Sequence, residues 1–180
     1  ICRVDIRKNT NQISKDAVLP VLEITPTASI SASPTATPTA KPLSFAEMNE
    51  LYGPCTYVSI LMYHHVAEKE VAKEGNFSSL NVEPSVFSLQ LQYLSEKGYH
   101  SISIDQLNDF LNNNGSLPNK PILITFDDGY ADNYQNAYTK LKEMGMKGII
   151  YLATGLMNNP GYLNWDQIAE MKASGVIDFG

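Results

Sequence analysis

The stretch that most limits the possible folds is residues 121–130, where an apolar run leads directly into two adjacent carboxylates and a glycine. Residues 122–124 read Ile-Leu-Ile, which is typical of a strand buried on both faces, as in a parallel sheet covered by helices. Gly129 can adopt backbone angles that are closed to other residues, so we expect a sharp turn where the strand ends. The sequence therefore predicts an α/β fold with carboxylates at the carboxyl end of a buried strand.

The two carboxylates, Asp127 and Asp128, follow this strand directly. In folds with parallel strands, catalytic groups collect at the carboxyl ends of the strands. Successive side chains on a regular strand point to opposite faces, so both acids reach one site only where the strand gives way to a loop. The alternative is an ordinary polar turn in which an aspartate bonds its own backbone. The buried strand favours the site.

Strand and helix patterns alternate along the chain from residue 56 onward. Strands are predicted at residues 56–63, 99–104, 122–126, 148–153 and 176–179, and helices are predicted to begin near Pro84, Asp105, Asp132 and Trp165. Asp105 is a candidate N-cap, and Trp165 is more simply a core anchor at a helix start than an aromatic for stacking on a sugar. The polar, glycine-containing residues 68–81 are predicted to form a loop. This β-α order implies parallel strands joined by right-handed crossovers. A closed α/β barrel needs about eight such units and roughly 250 residues, so we expect these 180 residues to be the front part of a longer protein.

The N-terminal residues 1–43 differ in composition from the rest of the chain. From residue 25 to residue 42 every position is Thr, Ser, Ala or Pro except Ile30 and Lys41. Such a stretch cannot bury a core and prefers an extended, solvated backbone. We therefore expect a tail and linker over residues 1–43 and a globular domain over residues 44–180. The linker is either a stalk from a membrane or wall anchor or an ordinary flexible tail.

The charge of the chain limits its partners. The formal net charge is −6, whereas a nucleic-acid-binding domain carries a basic face. No apolar run approaches the roughly 18 residues that a membrane span needs. We therefore expect no nucleic-acid partner, and membrane contact only through an N-terminal anchor. A neutral sugar substrate is compatible with this charge.

Three stretches resemble one enzyme family. Residues 125–129, Thr-Phe-Asp-Asp-Gly, resemble the first motif of the NodB-type polysaccharide deacetylases, carbohydrate esterase family 4. Residues 61–66, Leu-Met-Tyr-His-His-Val, resemble the opening strand of the branch that includes poly-N-acetylglucosamine deacetylases. Residues 163–180 resemble the stretch that leads into the second motif of the family. The resemblance covers about residues 56–180 and implies the N-terminal part of a distorted (β/α) barrel of the polysaccharide deacetylase type.

The resemblance also implies a chemistry, namely a metal-dependent hydrolase that removes N-acetyl or O-acetyl groups from an extracellular polysaccharide. Asp127 would be the general base that takes a proton from water, and Asp128 would be a metal ligand, joined by two histidines of a His-(Ser/Thr)-x-x-His motif. Zinc suits such an Asp-His-His set best, with cobalt or nickel as alternatives. That histidine motif is expected directly after Gly180. The later motifs of the family, which supply the arginine that orients the base and the histidine that acts as general acid, are also absent from these 180 residues. We therefore expect this chain alone to bind metal weakly or not at all and to lack deacetylase activity.

Three further side chains are candidates for the rim of the site, where they would contact substrate. His64 and His65 follow the first predicted strand, at the same edge as Asp127 and Asp128. If strand alternation continues through position 64, only one of the two histidines can face the site. Tyr130, next to Gly129, is a candidate aromatic for stacking on a sugar. Asp132 is more simply interpreted as a helix cap than as a third acid.

The substrate implied by the resemblance is an acetylated polysaccharide, with peptidoglycan, poly-N-acetylglucosamine, chitin-like polymers and acetylated xylan all open. The implied location is extracytoplasmic, at a cell surface or secreted, as in bacteria. A magnesium-dependent phosphatase is disfavoured, because its acids are separated by one residue and these are adjacent. A non-catalytic cell-wall or glycan-binding module on a deacetylase fold is the remaining alternative. The residues after Gly180 distinguish them, since a His-(Ser/Thr)-x-x-His run there supports the enzyme.

Overall fold

The structure is a computed structural model that describes residues 42–53 and 55–180. The predicted N-terminal tail and linker therefore lie outside the described residues, apart from the last two positions of the segment. In the part of the chain that is described, no helix has both the length and the apolar character needed to cross a bilayer.

The fold is built on a five-stranded parallel sheet. Its central strand, β5 (Pro121–Phe126), is buried at every position. One edge of β5 pairs with β1 (Ser59–Tyr63), and the other edge pairs with β4 (His100–Ser101) near its start and with β6 (Gly148–Ile150) near its end. The last strand, β7 (Ile177–Phe179), pairs with β6. All of these pairings are parallel, as the β-α order predicted.

A second, two-stranded parallel sheet and the helices complete the described fold. The small sheet joins β2 (His65–Val66) to β3 (Asn81–Val82). The helices are α1 (Phe45–Tyr52), α2 (Lys69–Glu74), α3 (Pro84–Glu96), α4 (Ile104–Asn112), α5 (Thr139–Glu143) and α6 (Trp165–Ser174). A π-helical segment (Asn133–Tyr138) runs directly into α5.

The helices bury the two faces of β5 differently. Ile122, Ile124 and Phe126 point to one face, where they form a large core with residues of α3, α5, α6 and the π-helical segment. Leu123 points to the opposite face and packs in a smaller cluster that includes Leu107 of α4. The burial of both faces explains why residues 122–124 read as a continuous apolar run.

Two local predictions were wrong. Residues 68–81 were expected to form a loop, but they contain α2, a 3-10 turn (Ser78–Leu80) and β3. Ala72 is the one buried residue of α2, so the apolar periodicity that predicts a helix is missing there. Asp105 was expected to cap α4, but Ser103 does so, and its side chain accepts a hydrogen bond from the Gln106 N–H in a capping box.

The short helix α1 was not predicted, and the start of α6 differs from expectation. No residue of α1 is buried, and its N-terminus is stabilised by a capping box between Ser44 and Glu47. Trp165 was expected to anchor the core at the start of α6. Half of its surface is exposed, and the helix is instead capped by the Asn164 side chain.

Phe87 of α3 is expected to contribute strongly to stability. Its ring is fully buried and lies edge-on to Tyr63 at 5.2 Å and to Phe126 at 5.9 Å. Phe87→Ala should lower the free energy of unfolding by about 3–5 kcal/mol, because it removes buried apolar area and leaves a cavity. Val86→Ala, at the exposed neighbouring position, should change it by about 0.5 kcal/mol or less. Denaturant unfolding of both variants checks this, and equal losses would contradict it.

Candidate active site

The site begins where β1 and β5 end side by side. Tyr63 is paired with Phe126, and the Asp127 N–H continues the ladder by donating to the Tyr63 carbonyl at 2.9 Å. His64 and Asp127 therefore occupy neighbouring positions, with 3.9 Å between His64 Nε2 and Asp127 Oδ2. The rings of Tyr63 and Phe126 stack in the core, whereas the His64 and Asp127 side chains are 22% and 31% exposed. Strand alternation thus selects His64, rather than His65, to lie beside the acid.

The turn after β5 directs the second acid. Asp128 and Gly129 both have left-handed backbone angles, with φ of 70° and 73°. Aspartate tolerates this conformation better than most residues, and glycine adopts it freely. The turn is held on both sides, because the Asp128 carbonyl accepts from the Ala153 N–H at 3.4 Å and the Gly129 carbonyl accepts from the Leu163 N–H at 2.9 Å. Two consecutive left-handed residues thus end the strand at the two acids.

The environment of Asp127 favours its protonated form. Burial raises the pKa of Asp127 above its ordinary value, and the negative charge of Asp128 raises it further. The neighbouring His64 acts in the opposite direction and lowers this pKa. A carboxylate with a raised pKa binds a proton more readily, which suits a general base.

The Tyr130 hydroxyl interacts with Asp128, and one face of its ring is covered by His65, so at most the other face could stack on a sugar. Burial, the charge of Asp128 and a hydrogen bond to that carboxylate raise the pKa of the Tyr130 hydroxyl to about 12. The ring of Tyr130 stacks on His65 with 3.7 Å between centroids. Its backbone forms an isolated antiparallel bridge with Tyr162. Tyr130 therefore lies between the Asp128 carboxylate and the buried His65.

The His65 side chain does not join His64 beside Asp127 but points into the protein behind the site. It is 6% exposed, and its ring is stacked between Phe77 and Tyr130 with centroid distances of 3.9 and 3.7 Å. Its Nδ1 lies 2.6 Å from Asp132 Oδ2. The chain bends at His64, between β1 and β2, and the two histidines therefore have different surroundings. His65 reaches only the wall of a cavity of about 440 Å³ that Phe77, Tyr130 and Tyr162 also line.

Asp132 lies close to the site, which the sequence did not predict. Its predicted role as a helix cap is wrong, since its side chain makes no capping hydrogen bond. Its carboxylate instead contacts His65 and accepts a hydrogen bond from the Val66 N–H at 2.9 Å. Asp132 is separated from Val66 by 66 positions and from His65 by 67 positions, and contacts over such distances along the chain leave no local pattern in the sequence.

The described residues do not complete a metal site. Over residues 42–53 and 55–180, no group of three or more His, Cys, Asp or Glu side chains is arranged to hold an ion. Asp128 can supply one carboxylate ligand at the edge of the sheet. A zinc site of the expected kind would need three protein ligands, of which the described residues offer Asp128 as one candidate.

The surroundings of Asp127 predict how its contribution to stability depends on pH. Since the folded-state pKa of Asp127 lies above its unfolded value, this group stabilises the fold at low pH, and the contribution is lost as pH rises through the folded-state pKa. Titration of the Asp127 carboxyl carbon by NMR should give a midpoint above the ordinary value of 3.8. His64→Gln should raise that midpoint further, because it removes the group that lowers it. A midpoint at or below 3.8 would contradict this account.

The turn should be intolerant of a side chain at Gly129. A Cβ there would lie 2.9 Å from Leu152 Cδ2 and 3.1 Å from Met157 Cε, in addition to the left-handed strain. Gly161 is a matched control, since its φ is 86° and a Cβ would meet nothing within 4 Å. Gly161→Ala should cost about 1 kcal/mol of unfolding free energy. Gly129→Ala should cost about 1 kcal/mol more, because the flexible ends of the Leu152 and Met157 side chains have to move aside. Denaturant unfolding checks the difference, and equal costs would show that the turn has room for a methyl group.

Comparison with known proteins assigns a family to this arrangement. The family model described as polysaccharide deacetylase matches residues 114–180. YxkH of Bacillus subtilis (strain 168), whose name places it among the polysaccharide deacetylases, is 35% identical over 117 residues, which is 65% of this chain and 39% of that protein. The poly-beta-1,6-N-acetyl-D-glucosamine N-deacetylase of Escherichia coli (strain K12) is 23% identical over 133 residues, which is 66% of this chain and 19% of that protein.

A solved structure supports the same assignment. The structure of IcaB from Ammonifex degensii superimposes with a TM-score of 0.60 and 28% identity, over 68% of this chain and 51% of that chain. The chain thus spans about half of that solved structure and a smaller share of the two curated relatives. The predicted fold, part of a distorted (β/α) barrel of the polysaccharide deacetylase type with parallel strands, is confirmed. Residues 114–180 thus match a polysaccharide deacetylase domain, and the Asp-Asp-Gly turn lies inside this part of the chain.

Proposed function

We propose that the full-length protein is a metal-dependent hydrolase that removes N-acetyl or O-acetyl groups from an extracytoplasmic polysaccharide. The observation that carries this proposal is the pairing of Asp127 with His64 at 3.9 Å, directly beside Asp128, at the carboxyl ends of two parallel strands. The family of the chain supports the reaction type. The name of the Escherichia coli relative supports an N-acetylated glucosamine polymer as one substrate, with peptidoglycan and chitin-like polymers as alternatives.

Asp127 is the proposed general base. Its carboxylate is partly exposed at the strand end, so water can reach it, and its raised pKa increases its affinity for the proton that it takes. In its protonated form, His64 stabilises the ionised Asp127, and its Nε2 lies 3.9 Å from the Asp127 carboxylate. Among the described residues, His64 is therefore our candidate for returning a proton to the departing nitrogen or oxygen of the sugar, in place of the later-motif histidine that the resemblance implies.

Asp128 is the proposed metal ligand among the described residues. Its carboxylate interacts with the neighbouring Tyr130 hydroxyl and has further lone pairs that a cation could use. A divalent ion, with zinc favoured over cobalt or nickel, would supply Lewis acidity that polarises the acetyl carbonyl. The two histidines of the expected His-(Ser/Thr)-x-x-His motif would supply the remaining ligands.

The roles of the two acids can be separated in the full-length protein. Asp127→Asn should abolish acetate release from an acetylated glucosamine oligomer and leave the bound metal unchanged. Asp128→Asn should lower both, because it removes a ligand. Acetate is measured enzymatically, and metal is measured by elemental analysis after gel filtration. Asp105→Asn, an exposed acid of α4, is the control and should change neither.

Two results would contradict this proposal. Equal metal loss in the Asp127 and Asp128 variants would mean that the acids are not divided between base and ligand. Oligomer binding by the unmodified protein without any acetate release would favour the glycan-binding module.

A further inference from the structure

We propose that Asp132 is a positioning residue that holds His64 opposite Asp127, acting through His65 and Val66. The inference rests on the proposed function, in which His64 and Asp127 work as a pair. It begins from the contacts of one carboxylate with the two residues that follow His64 in the chain.

Both oxygens of the Asp132 carboxylate are used. Oδ2 lies 2.6 Å from His65 Nδ1, and Oδ1 accepts a hydrogen bond from the Val66 N–H at 2.9 Å. A carboxylate can only accept, so His65 donates through Nδ1–H. The Asp132 side chain is 15% exposed and that of His65 is 8% exposed, so water competes little for these bonds. One carboxylate thus bonds both the His65 ring and the Val66 backbone, directly after His64.

A second side chain of the same segment reinforces this attachment. Asn136 Nδ2 donates to the Val66 carbonyl at 2.6 Å. Asp132 and Asn136 are four positions apart, so they project from one side of the helical segment. Both backbone polar groups of the fully buried Val66 are thus bonded to side chains of that segment.

The attachment closes a ring of contacts around the site. Asp132 lies three residues after Gly129, on the segment that is covalently continuous with Asp127 and Asp128. His65 and Val66 are covalently continuous with His64. In addition to the pairing of the two strands, the residues after β5 and the residues after β1 are therefore linked by the contact of Asp127 with His64 and by the contacts of Asp132. Segments of π-helix, such as the one that begins at Asn133, recur at functional sites.

The aromatic stack keeps this link in one geometry. The His65 ring is held between Phe77 and Tyr130, which restricts its rotation and keeps Nδ1 directed at Asp132. The stack alone would fix the plane of the ring without fixing the backbone of Val66. The carboxylate is the one side chain that bonds both the stacked ring and the backbone of Val66, and it therefore couples the packing to the backbone that follows His64.

The test is Asp132→Asn in the full-length protein, read out by kinetics and by NMR of the His64 ring. We expect kcat for acetate release to fall roughly 10- to 100-fold, because small misplacement of a catalytic group is costly, while KM stays within about twofold. The His64 ring signals should shift. Asp105→Asn is the control for removing a carboxylate and should change neither quantity.

A second variant separates positioning from stability. His65→Phe keeps a ring in the stack and removes only the bond to Oδ2, so its kcat should fall in the same direction. The double variant His65→Phe with Asp132→Asn should lose less than the product of the two single effects, because both act through one contact. This variant also carries the test if Asp132→Asn fails to fold.

The outcomes are distinguishable. Unchanged kcat, KM and His64 signals in folded Asp132→Asn, with only a lower melting temperature, would overturn the positioning role. Independent, multiplicative effects in the double variant would overturn the route through His65. If the unmodified protein releases no acetate, the proposed function fails, and the His64 signals still decide whether Asp132 positions that ring.

Discussion

The pairing of β1 with β5 is the interaction on which the site depends. Its register sets Tyr63 against Phe126 in the core, and the next pair, His64 and Asp127, then falls at the exposed edge. A slip of one residue would exchange the faces and move the rings out of the core. The burial of two aromatic rings therefore also determines which histidine meets the acid.

Locally unfavourable features are concentrated in the few residues after this strand. Asp128 has a left-handed backbone, and the π-helical segment replaces regular helix from Asn133. Asn133 is fully buried, and within the described residues neither of its amide atoms has a hydrogen-bond partner. Features of this kind cost about 1–3 kcal/mol of folding free energy each, and they persist only where the packing around them holds the backbone in place. The fully buried β5 and the packing of α3 provide that support.

The sequence predicted those parts of the fold and the site that depend on local patterns. The apolar run of β5, the helical spacing of α3 and the glycine after Asp128 each have a direct physical meaning, and strand alternation allowed only one of the two histidines to face the site. The helix α2 was missed because its exposed residues carry no apolar period. The contacts of Asp132 were missed because hydrogen bonds to residues so distant in the chain depend on tertiary packing, which no short pattern encodes.

The chain order of the two strands has a consequence for biosynthesis. A ribosome makes β1 well before β5, and domains begin to form from the N-terminus as the chain emerges. Until β5 is made, the edge of β1 that it will cover has no strand partner, and unpaired edges are prone to association with other chains. His64 likewise meets its acid only when β5 docks. The contact between His64 and Asp127 therefore forms late, together with the protection of the strand edge, so a nascent chain carries the histidine before it carries the neighbouring acid.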